Sequence, residues 1–209
     1  MSTIADNIGL VSQRIRAAAD AVQRDASSIH LLAVSKTKPA QAVREAYAAG
    51  LRDFGENYLQ EALGKQAELT DLPLSWHFIG PIQSNKTRAI AEHFAWVHSV
   101  DRLKIAQRLS EQRPADLPPL NICIQVNVSG EASKSGCTPA DLPALATAIS
   151  ALPRLKLRGL MAIPEPTEDR AEQDAAFATV RDLQASLNLP LDTLSMGMSH
   201  DLESAIAQG

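Results

Sequence analysis

Apolar positions follow two rhythms along the chain. From residue 3 to 24 they recur every three or four places, at Ile4, Ile8, Val11, Ile15 and Val22 with Ala18 filling the gap. That spacing predicts one amphipathic helix. The rhythm then changes, and short apolar runs alternate with helix-like stretches. The runs at 29–36, 51–55, 75–80, 96–100, 121–128, 155–163 and 193–197 read as strands. The stretches at 39–49, 57–69, 85–94, 101–112, 139–151, 168–187 and 200–207 read as helices. Pro39 and Pro139 stand where a first helical residue belongs, Pro139 with Thr138 as its cap, and Gly50 suits a helix end.

Seven strand-then-helix units behind a leading helix imply parallel strands joined by right-handed crossovers. An open doubly wound sheet and a barrel both satisfy that order. No unit carries a Gly-x-Gly-x-x-Gly turn, which disfavours a dinucleotide-binding sheet. The expectation is an α/β fold of the TIM-type (β/α)8 barrel class with a leading N-terminal helix, the eighth strand absent from the 209 residues. No linker or low-complexity tract interrupts the pattern, so residues 1–209 read as a single domain with helix 3–24 packed outside.

Composition narrows the partners. The net charge is −4 and the basic residues are scattered, which argues against nucleic acid and an anionic membrane surface. The start, MSTIADNIGL, lacks the basic and apolar regions of a signal peptide, and no apolar run is long enough to span a bilayer. A cytoplasmic monomer is expected. Cys123 and Cys137 are far apart with no histidine cluster near them, which reads as reduced thiols and no zinc site.

In a parallel barrel, chemistry collects at the C-terminal ends of the strands. The first strand ends at Lys36, on the same face as Leu32 and Val34 by alternation. Partial burial at the mouth would favour the free amine that imine formation needs. A snorkelling lysine is the plainer alternative, and Lys38 is a weaker candidate. The second strand ends Gly55-Glu56-Asn57-Tyr58, where Asn57 reads equally as a helix cap or a ligand contact. His77 reads as a hydrogen-bonded structural histidine, and Ser84 or Asn85 as a cap. Met161 closes the sixth strand as core filler or as a pad for a flat ligand. The seventh ends Ser195-Met196-Gly197-Met198-Ser199, a small-residue turn opening a helix, suited to an anion, with Asp201 expected to point away. A lysine at one tip and such a turn on the neighbouring strand of a closed ring suit a ligand with an aldehyde and a phosphate. Pyridoxal 5′-phosphate and a phosphorylated sugar carbonyl both qualify.

Six motifs stand in one order: AVSKTKP at 33–39, FGENY at 54–58, HFIG-x-x-Q-x-NK at 77–86, N-x-S-x-E-x-x-K-x-G at 127–136, GLMAIP at 159–164 and LSMGMS-x-D at 194–201. Together they resemble the pyridoxal phosphate homeostasis proteins, the YggS/PROSC-type family, over nearly the whole chain. The resemblance implies a barrel like the N-terminal domain of alanine racemases. It implies pyridoxal 5′-phosphate as cofactor, held as a Schiff base by Lys36 with Asn57, Met161, Met198 and Ser199 around it. It implies buffering or delivery of the cofactor inside the cell, with effects on amino-acid and keto-acid balance, rather than catalysis. Apoenzymes that use the cofactor would be transient partners. His200 departs from an acidic residue common among relatives. Relatives also continue with a segment supplying an eighth strand, an arginine and a Gly-Thr pair; without these, a weaker hold on the cofactor is expected.

Two enzymes compete with a carrier. A weak amino-acid racemase would need a second acid–base group, and the tyrosines are Tyr47 inside a helix and Tyr58 at the start of one. A Schiff-base aldolase would place its lysine on a later strand, and the sixth strand has none at its tip.

Overall fold

Seven strands pair in chain order, every pair parallel, in a computed structural model that describes residues 3–130 and 135–209. They are β1 (Ala33–Val34), β2 (Asp53–Glu56), β3 (Ser75–Phe78), β4 (Trp96–Val100), β5 (Leu120–Gln125), β6 (Leu155–Met161) and β7 (Thr193–Ser195). Helices α1 (Ile4–Ala21), α2 (Ala40–Ala48), α3 (Leu59–Glu68), α4 (Thr87–His93), α5 (Leu103–Gln112), α6 (Leu142–Ser150), α7 (Arg170–Ser186) and α8 (Leu202–Gln208) alternate with them.

The sheet is curled. Neighbouring strands lie about 4.8 Å apart, so β4 and β7 would be about 14 Å apart if it were flat. Yet His98 of β4 and Ser195 of β7 meet at 2.6 Å. The curl makes an inner face and an outer face. Outside, Phe54, Phe78, Val97, Ile122 and Ile124 join Val43, Ala62, Ile90, Ile105, Leu109 and Ile149 of the helices in one continuous buried cluster. This apolar layer between strands and helices is what drives the alternating sequence to fold this way.

Helix α1 starts at a capping box, in which Thr3 and Asp6 satisfy each other's backbone amides. It packs between α2 and α8, so it joins the outer helix layer across from the edge strands β1 and β7. Arg14 grips both oxygens of Glu203 at 2.8 and 2.9 Å, and Arg24 donates to the Ile206 carbonyl at 3.1 Å. Val22, counted in the apolar stripe, is instead an exposed cap residue.

The α/β alternation, the leading helix and the seven strands follow the sequence reading. Several boundaries do not. β1 has two residues rather than eight, because as an edge strand it has only β2 to pair with. Lys36 therefore lies in the turn after β1, not at a strand end. Pro39 is the cap of α2 rather than its first residue. Thr138 and Pro139 belong to a turn that precedes α6: Thr138 accepts from the Asp141 amide at 3.2 Å, and α6 begins at Leu142. Gly50 does end α2, in the left-handed region at φ 105°.

Candidate functional site

Parallel pairing sets all five sequence candidates at one end of the sheet. Lys36 follows β1, Asn57 follows β2, Met161 is the last residue of β6, and Met198 and Ser199 follow β7. Their exposures differ. Lys36, Met198 and Ser199 are exposed, Asn57 is half-buried and Met161 is buried. The expectation of a partly buried Lys36 is corrected. Ser35 turns toward α3 and is buried, leaving Lys36 in solvent with no hydrogen-bond or ion-pair partner among the described residues.

Asn57 is not a helix cap, because α3 begins at Leu59 with Tyr58 in the cap position. Its Oδ1 is buried without a partner. A buried amide oxygen left unpaired is costly, and a polar ligand at this end of the sheet would complete it. The position of Asn57 is fixed from behind: a Cβ on Gly80 would lie 2.3 Å from the Asn57 carbonyl oxygen, so only glycine fits there. Ser84 and Asn85 cap nothing either; they lie within a short 3-10 turn leading into α4.

The turn after β7 differs from the expected anion cradle in one respect. Asp201 does not point away: its carboxylate accepts from the Met198 amide at 2.5 Å. Gly197 takes a left-handed φ of 87°, and the Ser199 carbonyl accepts from Arg14 at 3.0 Å. The Ser199 hydroxyl has no partner among the described residues. Glu131 and Lys134, in the motif after β5, lie outside the described residues.

Sequence reasoning passed over the polar inner face. Asp53 accepts from His77 Nε2 at 3.2 Å, His77 Nδ1 meets His98 Nε2 at 2.9 Å, and His98 Nδ1 meets Ser195 Oγ at 2.6 Å. One assignment of protons satisfies every link: Ser195 donates to His98, His98 to His77, and His77 to Asp53. Burial, and the neighbouring His77, push His98 down to about 3, so it is neutral as that assignment requires. The hydrogen bond from His77 holds the Asp53 carboxyl below its ordinary value. Trp96 stacks on His77 with ring centres 5.4 Å apart, and the Arg158 guanidinium lies 4.6 Å from the Trp96 ring centre. His77 is hydrogen-bonded, as the sequence led us to expect.

A parallel curled sheet with an exposed lysine amine after its first strand, a small-residue turn after its seventh and a leading outer helix defines a class, the alanine-racemase-type barrel. Residues 11–208 match the family described as "Alanine racemase, N-terminal domain". The alanine racemase of Corynebacterium glutamicum shares this fold at 16% identity, with a TM-score of 0.62 over 88% of this chain and 52% of that one. Within that class the chain belongs to the pyridoxal phosphate homeostasis protein family. The member from Pseudomonas aeruginosa is 78% identical over all of this chain and 91% of its own length. The Escherichia coli member is 52% identical over all of this chain and 92% of its own. The structure of PipY from Synechococcus elongatus with pyridoxal phosphate bound superposes with a TM-score of 0.83 at 44% identity, covering 95% of this chain and 94% of that one.

Proposed function

We propose that this chain binds pyridoxal 5′-phosphate and serves its homeostasis in the cell, buffering the cofactor or handing it to apoenzymes. The observation that carries this reading is Lys36, an exposed amine in the turn after β1 with no partner among the described residues, beside the orphaned Asn57 Oδ1 just after the adjoining β2. Family membership supports it.

The residues suit the group. The cofactor brings an aldehyde open to a primary amine and a phosphate that anchors it. Lys36 supplies the amine. Asn57 offers the unpaired amide, and buried Met161 gives a polarisable surface for a flat ring. Ser199, whose hydroxyl has no partner among the described residues, and the turn at Met198 take the phosphate end. Occupation of the Met198 amide by Asp201 leaves a modest anion site. A modest grip and an exposed amine suit a protein that must let the cofactor go. As a single-domain cytoplasmic monomer, it would hold the cofactor as cargo rather than use it for turnover.

Treatment with pyridoxal phosphate and borohydride, followed by peptide mapping, tests this. One stable adduct at Lys36, lost in Lys36→Ala, is the expected result. Labelling scattered over surface lysines would overturn it. A racemase reading would instead require exchange of an amino acid's α-proton with solvent.

A further inference from the structure

The turn that carries Lys36 is strained. Thr37 has φ 62°, in the left-handed region. A β-branched residue avoids that region, and the third position of a tight turn with positive φ ordinarily takes glycine or asparagine. The turn is closed by the Lys38 amide donating to the Ser35 carbonyl at 3.1 Å.

Charged groups of β2 and α3 hold this turn on both sides of Lys36. The Ser35 hydroxyl donates to Glu56 Oε1 at 2.5 Å. Lys65 donates to the Ser35 carbonyl at 2.5 Å, to Glu56 at 2.6 Å and to Glu61 at 2.6 Å, which uses all three of its protons. Glu61 in turn accepts from the Thr37 amide at 2.5 Å. Ser35, Glu56 and Lys65 are buried, so water does not weaken the bonds among them, while the Thr37–Glu61 bond is exposed. The residues before and after Lys36 are each tied to the Lys65 ammonium, one directly and one through Glu61.

We propose that Glu61 and Lys65 are positioning residues for Lys36: through Thr37 and Ser35 they hold a strained turn that keeps the amine presented at the end of β1. This rests on the reading of Lys36 as the cofactor's amine. Neither residue touches the cofactor. Without the clamp, Thr37 relaxes to an ordinary φ and Lys36 leaves its place.

Lys65 is a poor target, since removing it strands the buried Glu56 charge and endangers folding. Glu61 is the better one. Its side chain is 30% exposed, and Lys65 keeps Glu56 when it is gone. The experiment compares wild type, Glu61→Gln, Glu61→Ala and the double variant Glu61→Ala with Thr37→Gly. Two readouts are taken: the initial rate of borohydride-trapped pyridoxal phosphate at Lys36, and hydrogen exchange of the residue 37 amide without cofactor.

Glu61→Ala is expected to slow trapping roughly tenfold, the scale of releasing one left-handed residue, and to expose the amide to exchange. Glu61→Gln keeps an acceptor and should fall between. Glycine at 37 adopts positive φ freely and should restore much of the trapping rate with no gain in amide protection. A role in stability alone would show neither the rescue nor a rate effect well below the melting temperature. Equal trapping in Glu61→Ala and wild type overturns the clamp alone. Absence of a Lys36 adduct in wild type overturns the cofactor reading beneath it and the clamp's role together.

Discussion

Ser195 Oγ and His98 Nδ1 lie 2.6 Å apart, although they are 97 positions apart in the chain and two strands, β5 and β6, lie between theirs. The bond ties the seventh strand to the fourth across the inner face and extends through His77 to Asp53. It gives the inside of the curled sheet a directed line of hydrogen bonds ending just before the Met198–Ser199 turn.

That line sets a pH dependence. His98 is held at about 3 in the fold against 6.5 for an ordinary histidine. Between those values the unfolded chain binds a proton that the folded chain refuses, so stability falls as pH drops from 6.5 toward 3. The slope from this residue approaches about 1.4 kcal/mol per pH unit at most. Urea unfolding of His98→Asn across pH 7 to 4 should show a shallower acid loss than wild type. Parallel curves would mean that His98 already takes up its proton in the fold.

Gly80 supports Asn57 by having no side chain. In Gly80→Ala the new Cβ would meet the Asn57 carbonyl at 2.3 Å and its Cα at 2.7 Å, both backbone atoms that cannot swing aside. A loss of about 1–3 kcal/mol is expected on urea unfolding, together with weaker pyridoxal phosphate binding in a fluorescence titration. Unchanged binding would separate Asn57 from the site.

Arg158 holds both Asp192 oxygens at 2.8 and 2.9 Å, reaches Asn121 at 2.9 Å and lies over Trp96. Asp192 is half in solvent, which discounts the ion pair. Arg158→Ala should cost about 1–2 kcal/mol, mainly through Trp96 and Asn121. Arg158→Lys should restore only part, because it lacks the planar fork. Chemical denaturation of the two variants measures the difference.

Burial pushes the Cys123 thiol up to about 12 and the Cys137 thiol up to about 11. Almost no thiolate forms at pH 8. Iodoacetamide should leave both unmodified in the native protein and label both in urea. Fast native labelling of either would show that its part of the fold opens.

Much of the candidate site was legible because its parts are local. Lys36, Asn57, Met161, Met198 and Ser199 each close or follow an apolar run, so alternation alone puts them at one end of a parallel sheet. The clamp was half legible. Glu61 and Lys65 stand four apart on a helix, a readable pair, but nothing in that spacing says that the pair reaches under the turn at Ser35–Thr37.

The sequence by itself determined the alternation of strands and helices, the outer leading helix and the family, because periodicity and motif order are properties of neighbouring residues. Tertiary structure alone decided that Lys36 stands in solvent while Ser35 is buried. It alone decided that Asp201 turns back onto Met198, and that His98 meets Ser195. Those outcomes depend on how far the sheet curls and which helix lies beneath each turn. Curl is the sum of small twists over all seven strands, and no short stretch of sequence carries it.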